Sequence, residues 1–245
     1  VISKELGLAI ETFCGKYCKA IVSVILYGSQ ANGTATAKSD VDLIVIDDSC
    51  MEPFRIQRTI NGFPIQATIM NYKDMLNALC ESRKQSNPFF PISLEQSRLL
   101  YDTKGLGAYL TDLAKEIVQA GPVAPGDNRL ELQRISLVNM LSDGLAEKYI
   151  GNSFAENCTW AASIIIRCEA YLLHKSGDWL NYNRRLRKQA LMESFPIIYS
   201  GLNRAMEDFL SAKDTKLFAD NIKSIMNEQM SFGWDTHDNC HASVF

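Results

Sequence analysis

Two aspartates one residue apart, Asp40 and Asp42, open the apolar run DVDLIVI, and ten residues separate Asp40 from Ser29. Gly28-Ser29 in turn closes another apolar run, AIVSVILYGS. Side chains alternate along a strand, so Asp40 and Asp42 project from one face, close together. Two neighbouring anions repel and call for a cation between them. Mg²⁺ suits such a pair, because it binds through one or two carboxylates together with substrate phosphates. Gly28 lets a ligand approach the backbone, and Ser29 offers a hydroxyl and an N–H to a phosphate oxygen. A short helix beginning there would add further free N–H groups. The chemistry these residue types could do together is metal-assisted phosphoryl or nucleotidyl transfer from a nucleoside triphosphate. Gly28 alone would read as a turn and the aspartates alone as caps of an exposed strand end. It is the ordered combination that points to a site.

The elements that would position these residues are legible as hydrophobic patterns. Residues 3–20 predict an amphipathic helix with Leu6, Ile10, Phe13 and Tyr17 on one face. Residues 20–28 and 41–46 predict strands, and residues 54–60 and 63–70 flank Asn61-Gly62 as a hairpin. Residues 72–83 predict a helix and 97–102 a last strand. The stretch GPVAPGDN at 121–128 is the one clear linker. Beyond it the patterns predict helices over 130–149, 153–174, 180–194, 196–211 and 216–230. The expected fold is α+β, a mixed-sheet domain over 1–120 followed by an all-helical bundle over 121–245.

Composition narrows the partners. The chain has 245 residues, 47% hydrophobic and 22% charged, with a formal net charge of -3. That is a globular balance with no global basic field, so no nucleic-acid partner is expected. No apolar run reaches the roughly 18 residues of a membrane span, and no leader pattern opens the chain. Seven scattered cysteines predict reduced thiols and a cytoplasmic location. Cys14 and Cys18 share their spacing with His237 and His241, which would suit a zinc site, although core cysteines and a solvated tail are the plainer reading.

The pattern of Gly-Ser, ten residues, then Asp-Val-Asp resembles the nucleotidyltransferase superfamily, the DNA polymerase β-like group. A mixed α/β half followed by a helical half is similar to the aminoglycoside and lincosamide nucleotidyltransferases. The resemblance is motif-level over residues 21–104 and architectural beyond. It implies that Ser29, with Gly28, binds the triphosphate and that Asp40 and Asp42 bind Mg²⁺. It also implies a basic side chain from the helical half on the triphosphate, for which Arg184 or Arg185 in RRLRK is the candidate.

One position departs from the family. Relatives carry a third carboxylate on a later strand, and here the matching strand FPIQATIM offers Gln66. An amide is isosteric with Glu but neutral, so it is no proton acceptor near neutral pH and a poorer metal ligand. Three readings stay open: an engineered Glu→Gln change, a base supplied from elsewhere, or a protein that binds nucleotide without transferring it. Asp48 shares Asp42's strand parity but lies about 20 Å away at strand rise. Glu131, Asp143, Glu147 and Glu169 are the candidate bases in the helical half. Arg167 and His174 have a spacing loosely seen in HEPN-type ribonucleases, but fit an ordinary buried helix better. Trp160, Trp179 and Trp234 could stack on a ligand, though large aromatics belong to cores by default.

The sequence therefore predicts a Mg²⁺-dependent enzyme that moves a nucleoside monophosphate from ATP to a hydroxyl of a small acceptor. The acceptor would be an aminoglycoside or a lincosamide, bound between the two halves. The rivals are an enzyme that adenylylates a protein of a toxin-antitoxin type system, and a catalytically silent nucleotide-binding module.

Overall fold

A computed structural model describes residues 2–36, 38–143, 153–180 and 184–232. The chain divides into two compact units, Val1–Pro122 and Val123–Phe245. The fold is α+β. In the first unit the order is α1 (Lys4–Tyr17), β1 (Ile21–Tyr27), α2 (Gly28–Asn32), β2 (Val41–Asp47), β3 (Phe54–Ile60), β4 (Phe63–Met70), α3 (Tyr72–Gln85), α4 (Phe89–Glu95), β5 (Arg98–Asp102) and α5 (Leu106–Ala120).

The five strands form one sheet in the order β3-β4-β2-β1-β5. Strands β2 and β4 run parallel and the other neighbours antiparallel. Alternation gives the sheet two different faces. Val24, Leu26, Val41, Leu43, Val45, Ile65, Ala67 and Ile69 point one way and bury against Leu6, Ala9, Ile10 and Phe13 of α1. The opposite face carries Ser23, Ile25 and Tyr27 of β1 and Asp42, Ile44 and Ile46 of β2. Helix α5 packs there so closely that a Cβ on Gly107 would come within 2.8 Å of Ser23 Oγ. Phe89 of α4 meets Tyr27 edge to face, with centroids 6.0 Å apart.

The β3–β4 hairpin turns on Asn61 and Gly62, both at positive φ (50° and 83°). That is the conformation an Asn-Gly turn favours. It pairs Ile60 with Phe63 and sets every pair behind it.

Helix α1 is shorter than residues 3–20 predict. Cys18 leaves the helix in an extended conformation. The N–H groups of Lys19 and Ala20 then donate to Asp47 at the far end of β2, at 2.8 and 3.2 Å. Asp47 is 2% exposed and also accepts the Ser49 N–H and hydroxyl. Burial alone would raise its pKa, but the Ser49 hydroxyl and the three backbone donors outweigh burial and hold it below the usual carboxylate range. A lowered folded-state pKa contributes stability above the unfolded value of about 3.9, and this is lost as pH falls through the folded value. Acid denaturation below about pH 4 should therefore be less steep in Asp47→Asn, which should also cost about 1–3 kcal/mol at neutral pH. Melting curves from pH 3 to 7 check both. Parallel wild-type and variant curves would remove Asp47 from the account.

Helices α4 and α5 are not anticipated by the sequence reading. Pro91 in FFPISLE obscures α4, yet it falls in the first turn, where no intrahelical N–H bond is lost. Helix α5 buries Leu110, Ala114 and Ile117 at helical spacing.

The second unit consists of α6 (Asp127–Asp143), α7 (Phe154–Ser176), α8 (Arg184–Ser194), α9 (Pro196–Ala212) and α10 (Thr215–Met226). Ser153 and Glu156 form a capping box at the start of α7, and Gly177 ends it at φ 77°. Leu141, Ile164, Leu172, Leu191, Leu202, Phe209, Phe218 and Ile222 build its core. Among the described residues no helix is long and apolar enough to cross a membrane.

Candidate active site

The site begins with a row of four residues across the sheet. Tyr27 on β1 pairs with Asp42 on β2, Asp42 with Gln66 on β4, and Gln66 with Gln57 on β3. Paired residues share a face, so the row faces α4 and α5 rather than α1. Gln66 Nε2 donates to Asp42 Oδ1 at 3.1 Å, and Gln57 Nε2 donates to Gln66 Oε1. The position matched to the missing carboxylate thus lies beside the aspartate pair and spends an N–H on it.

Asp40 precedes β2 and is exposed, while Asp42 is half-buried. The Asp42 pKa is raised, first by burial and then by the charge of Asp40. The Arg55 guanidinium and the Gln66 N–H oppose that shift without cancelling it. A carboxylate made costly to ionise by a second carboxylate fits a bound cation.

Gly28 begins α2 where β1 ends, at φ 70°. A Cβ there would lie 2.5 Å from Asp42 Oδ2. Two constraints thus select glycine: a left-handed backbone and contact with the carboxylate. Gly33 supplies a matched control, since its φ is 75° and an added Cβ meets nothing within 4 Å. Gly33→Ala should cost only backbone strain, about 1–2 kcal/mol. Gly28→Ala should cost the same strain and also push Asp42 aside, weakening Mg²⁺-dependent ATP binding measured by calorimetry. Equal ATP affinity in the two variants would show that Asp42 does not take part. Ser29 follows Gly28 as the second residue of α2 and is partly exposed.

Gly28, Asp42 and Gln66 are therefore brought together, with Ser29 and Asp40 adjoining them in the chain. Arg184 and Arg185 belong to the second unit, as exposed residues in the first turn of α8. Their neighbour Arg187 bonds Glu169 at 3.1 Å. Burial raises the Glu169 pKa, and Arg187 and Arg184 partly offset it. Glu131 is also committed, making two 2.7 Å bonds to Arg134. Asp143 is exposed at the end of α6. Asp48 pairs with Lys104 at 2.6 Å.

Trp179 is half-buried just beyond α7, while Trp160, Arg167 and His174 have structural partners. Trp160 Nε1 donates to the Met140 carbonyl at 2.8 Å, and its ring meets Phe218. Arg167 donates to Ser136 Oγ at 3.1 Å. His174 is 2% exposed, with Gln133 at 2.6 Å from Nδ1. Burial, then Arg129, lowers its pKa to about 4, so the ring is neutral at pH 7. Glu147, Trp234, His237 and His241 lie outside the described residues. Among the described residues no group of three or more His, Cys, Asp or Glu could hold a metal.

Sequence reasoning missed Gln57 and Arg55. Counting back from the Asn-Gly turn, with Ile60 opposite Phe63, would have placed Gln57 opposite Gln66.

The sequence model of the family described as "Polymerase beta, Nucleotidyltransferase" matches residues 9–104. No curated protein matches the chain at significant sequence similarity. Among solved structures, a nucleotidyltransferase-like protein from Exiguobacterium sibiricum 255-15 superposes with a TM-score of 0.55 and 16% identity. The match covers 91% of this chain and 75% of that one, a likeness of fold. The family match spans both the Gly28-Ser29 turn and the strands that carry Asp42 and Gln66, and residues 9–104 are thus a domain of the nucleotidyltransferase superfamily.

Proposed function

We propose that the protein is a Mg²⁺-dependent nucleotidyltransferase that moves a nucleoside monophosphate from ATP, or another nucleoside triphosphate, to a hydroxyl of a small acceptor. An aminoglycoside or lincosamide is the acceptor class favoured by the two-unit architecture. In the reaction the acceptor oxygen bonds to the α-phosphorus, the bond to the β,γ-bridged pyrophosphate breaks, and the hydroxyl proton leaves to base or water. The observation that carries this reading is the contact of Gly28 with Asp42, which sets a backbone turn suited to phosphate directly against a carboxylate.

Asp40 and Asp42 would hold the metal. When bound, Mg²⁺ supplies charge neutralisation on the phosphates and orients an in-line attack. The chain's own contribution is positional. The Gly28 turn admits phosphate oxygens beside Asp42, and Ser29 offers its N–H and hydroxyl. Arg55 lies on the same sheet face, through its pairing with Thr68, and adds positive charge near the carboxylates.

The second reading, a nucleotide-binding module that does not turn over, is favoured by the Gln66 amide donating to Asp42. An amide supplies no base to the attacking hydroxyl. Incubation with α-labelled ATP and Mg²⁺, with and without aminoglycosides, lincosamides or cell protein, separates the readings. Label on a small acceptor supports the first, and intact bound ATP the second. Label on protein would displace both in favour of protein adenylylation.

A further inference from the structure

We infer that Gln57 is a positioning residue that decides which end of the Gln66 amide faces Asp42, and therefore whether Gln66 meets a cation with an N–H or with an oxygen. The inference rests on the reading of Asp40 and Asp42 as metal ligands.

The register puts Gln57, Gln66 and Asp42 in one row across three strands. A primary amide carries a donor end and an acceptor end, so whatever binds one end fixes what the other can do. Gln57 Nε2 occupies Gln66 Oε1, which leaves the Gln66 N–H for Asp42 Oδ1. Asp42 Oδ2 remains on the Gly28 side. In this arrangement Gln66 contributes a donor toward the site, which suits a bare carboxylate and opposes a cation.

The pair has a second arrangement. If both amides turn over, Gln57 Oε1 accepts from Gln66 Nε2, and Gln66 Oε1 faces Asp42. Two oxygens face to face are favourable only with a cation beside them. Gln66 can therefore serve as a neutral oxygen ligand, but only when Gln57 turns with it. A glutamate at this position would need no such partner, since both of its terminal atoms are oxygens. Gln57 matters because its neighbour is an amide. Gln57 is itself exposed, on a strand at the sheet edge, so no core packing fixes its side chain.

The test is Mn²⁺ binding to the full chain without nucleotide, read by electron paramagnetic resonance. Gln57→Glu presents only acceptors, so it competes with Asp42 for the Gln66 N–H and, once a cation sits beside Asp42, holds the amide with Oε1 facing the metal. The variant should bind Mn²⁺ about tenfold more tightly than wild type, a coupling ordinary for residues in one hydrogen-bond network. The added negative charge would tighten binding by itself, so the same substitution is measured again with Gln66→Met, which has no amide to turn. Most of the gain should disappear in that background. An equal gain in both backgrounds overturns the role of Gln57 and leaves the metal site standing. Asp42→Asn is the control for the site. If it binds Mn²⁺ as wild type does, or if wild type binds none, the metal reading fails and the role of Gln57 fails with it.

Discussion

Asp42→Asn should lower Mg²⁺-dependent nucleotide turnover by about a thousandfold or more, while raising the melting temperature in metal-free buffer. The rate effect follows from losing the half-buried member of the aspartate pair. Metal-assisted charge stabilisation is worth several kcal/mol in the transition state, and about 4 kcal/mol is a factor of a thousand. The stability effect has the opposite sign for an electrostatic reason. Burial and then Asp40 raise the Asp42 pKa. A carboxyl with a raised folded-state pKa favours the folded chain below the unfolded value and loses that contribution as pH rises through the folded value. At pH 7 the ionised Asp42 therefore costs stability, modestly because the group is partly solvated. An asparagine removes the charge yet still offers Oδ1 to the Gln66 N–H. Melting with EDTA and with Mg²⁺ separates the two effects: the variant should start higher and gain less from the metal. Unchanged turnover would remove Asp42 from the chemistry, whatever the melting curves do.

The opposite expected signs bear on why the candidate site stands out in the sequence. A carboxylate at the start of a strand that is otherwise Val, Leu and Ile works against folding, so its presence points to function. The strands were legible for a related reason. Burial of one or both faces writes a pattern of period two, or an unbroken apolar run, into β1, β2 and β4. Asn61-Gly62 set the hairpin register outright. Three features were not legible. Helix α1 stops at Tyr17 because Lys19 and Ala20 bond to Asp47, a contact spanning 28 and 27 residues that no local pattern records. Helix α4 hides behind Pro91. The commitment of Glu169 to Arg187 depends on how two helices pack and leaves no local mark, whereas Glu131 and Arg134 form an i,i+3 pair that helical spacing offers.

Gln66→Glu should raise the rate of nucleotidyl transfer by about 10²–10⁴, the range typical of general-base assistance. The swap is nearly isosteric, and its position is set by pairing with Asp42 and Gln57, so packing should hardly change. What changes is the atom facing Asp42. Gln66 offers an N–H to Oδ1 at 3.1 Å. Glutamate would place an oxygen there, and without a cation the two carboxylates repel. The variant should therefore melt below wild type in EDTA and gain more from Mg²⁺ than wild type does. A rate increase together with this reversal in melting would identify the Gln66 position as that of the missing base. A rate increase alone, with no change in metal response, would mean that the introduced carboxylate acts away from the cation. If the protein with Gln66 is already fast and Gln66→Glu leaves it so, the base comes from elsewhere. Glu131 and Glu169 are then poorer choices, because Glu131 accepts two bonds from Arg134 and Glu169 one from Arg187. Asp143, Glu147, Glu131 and Glu169 are then replaced by alanine one at a time, and only one should matter.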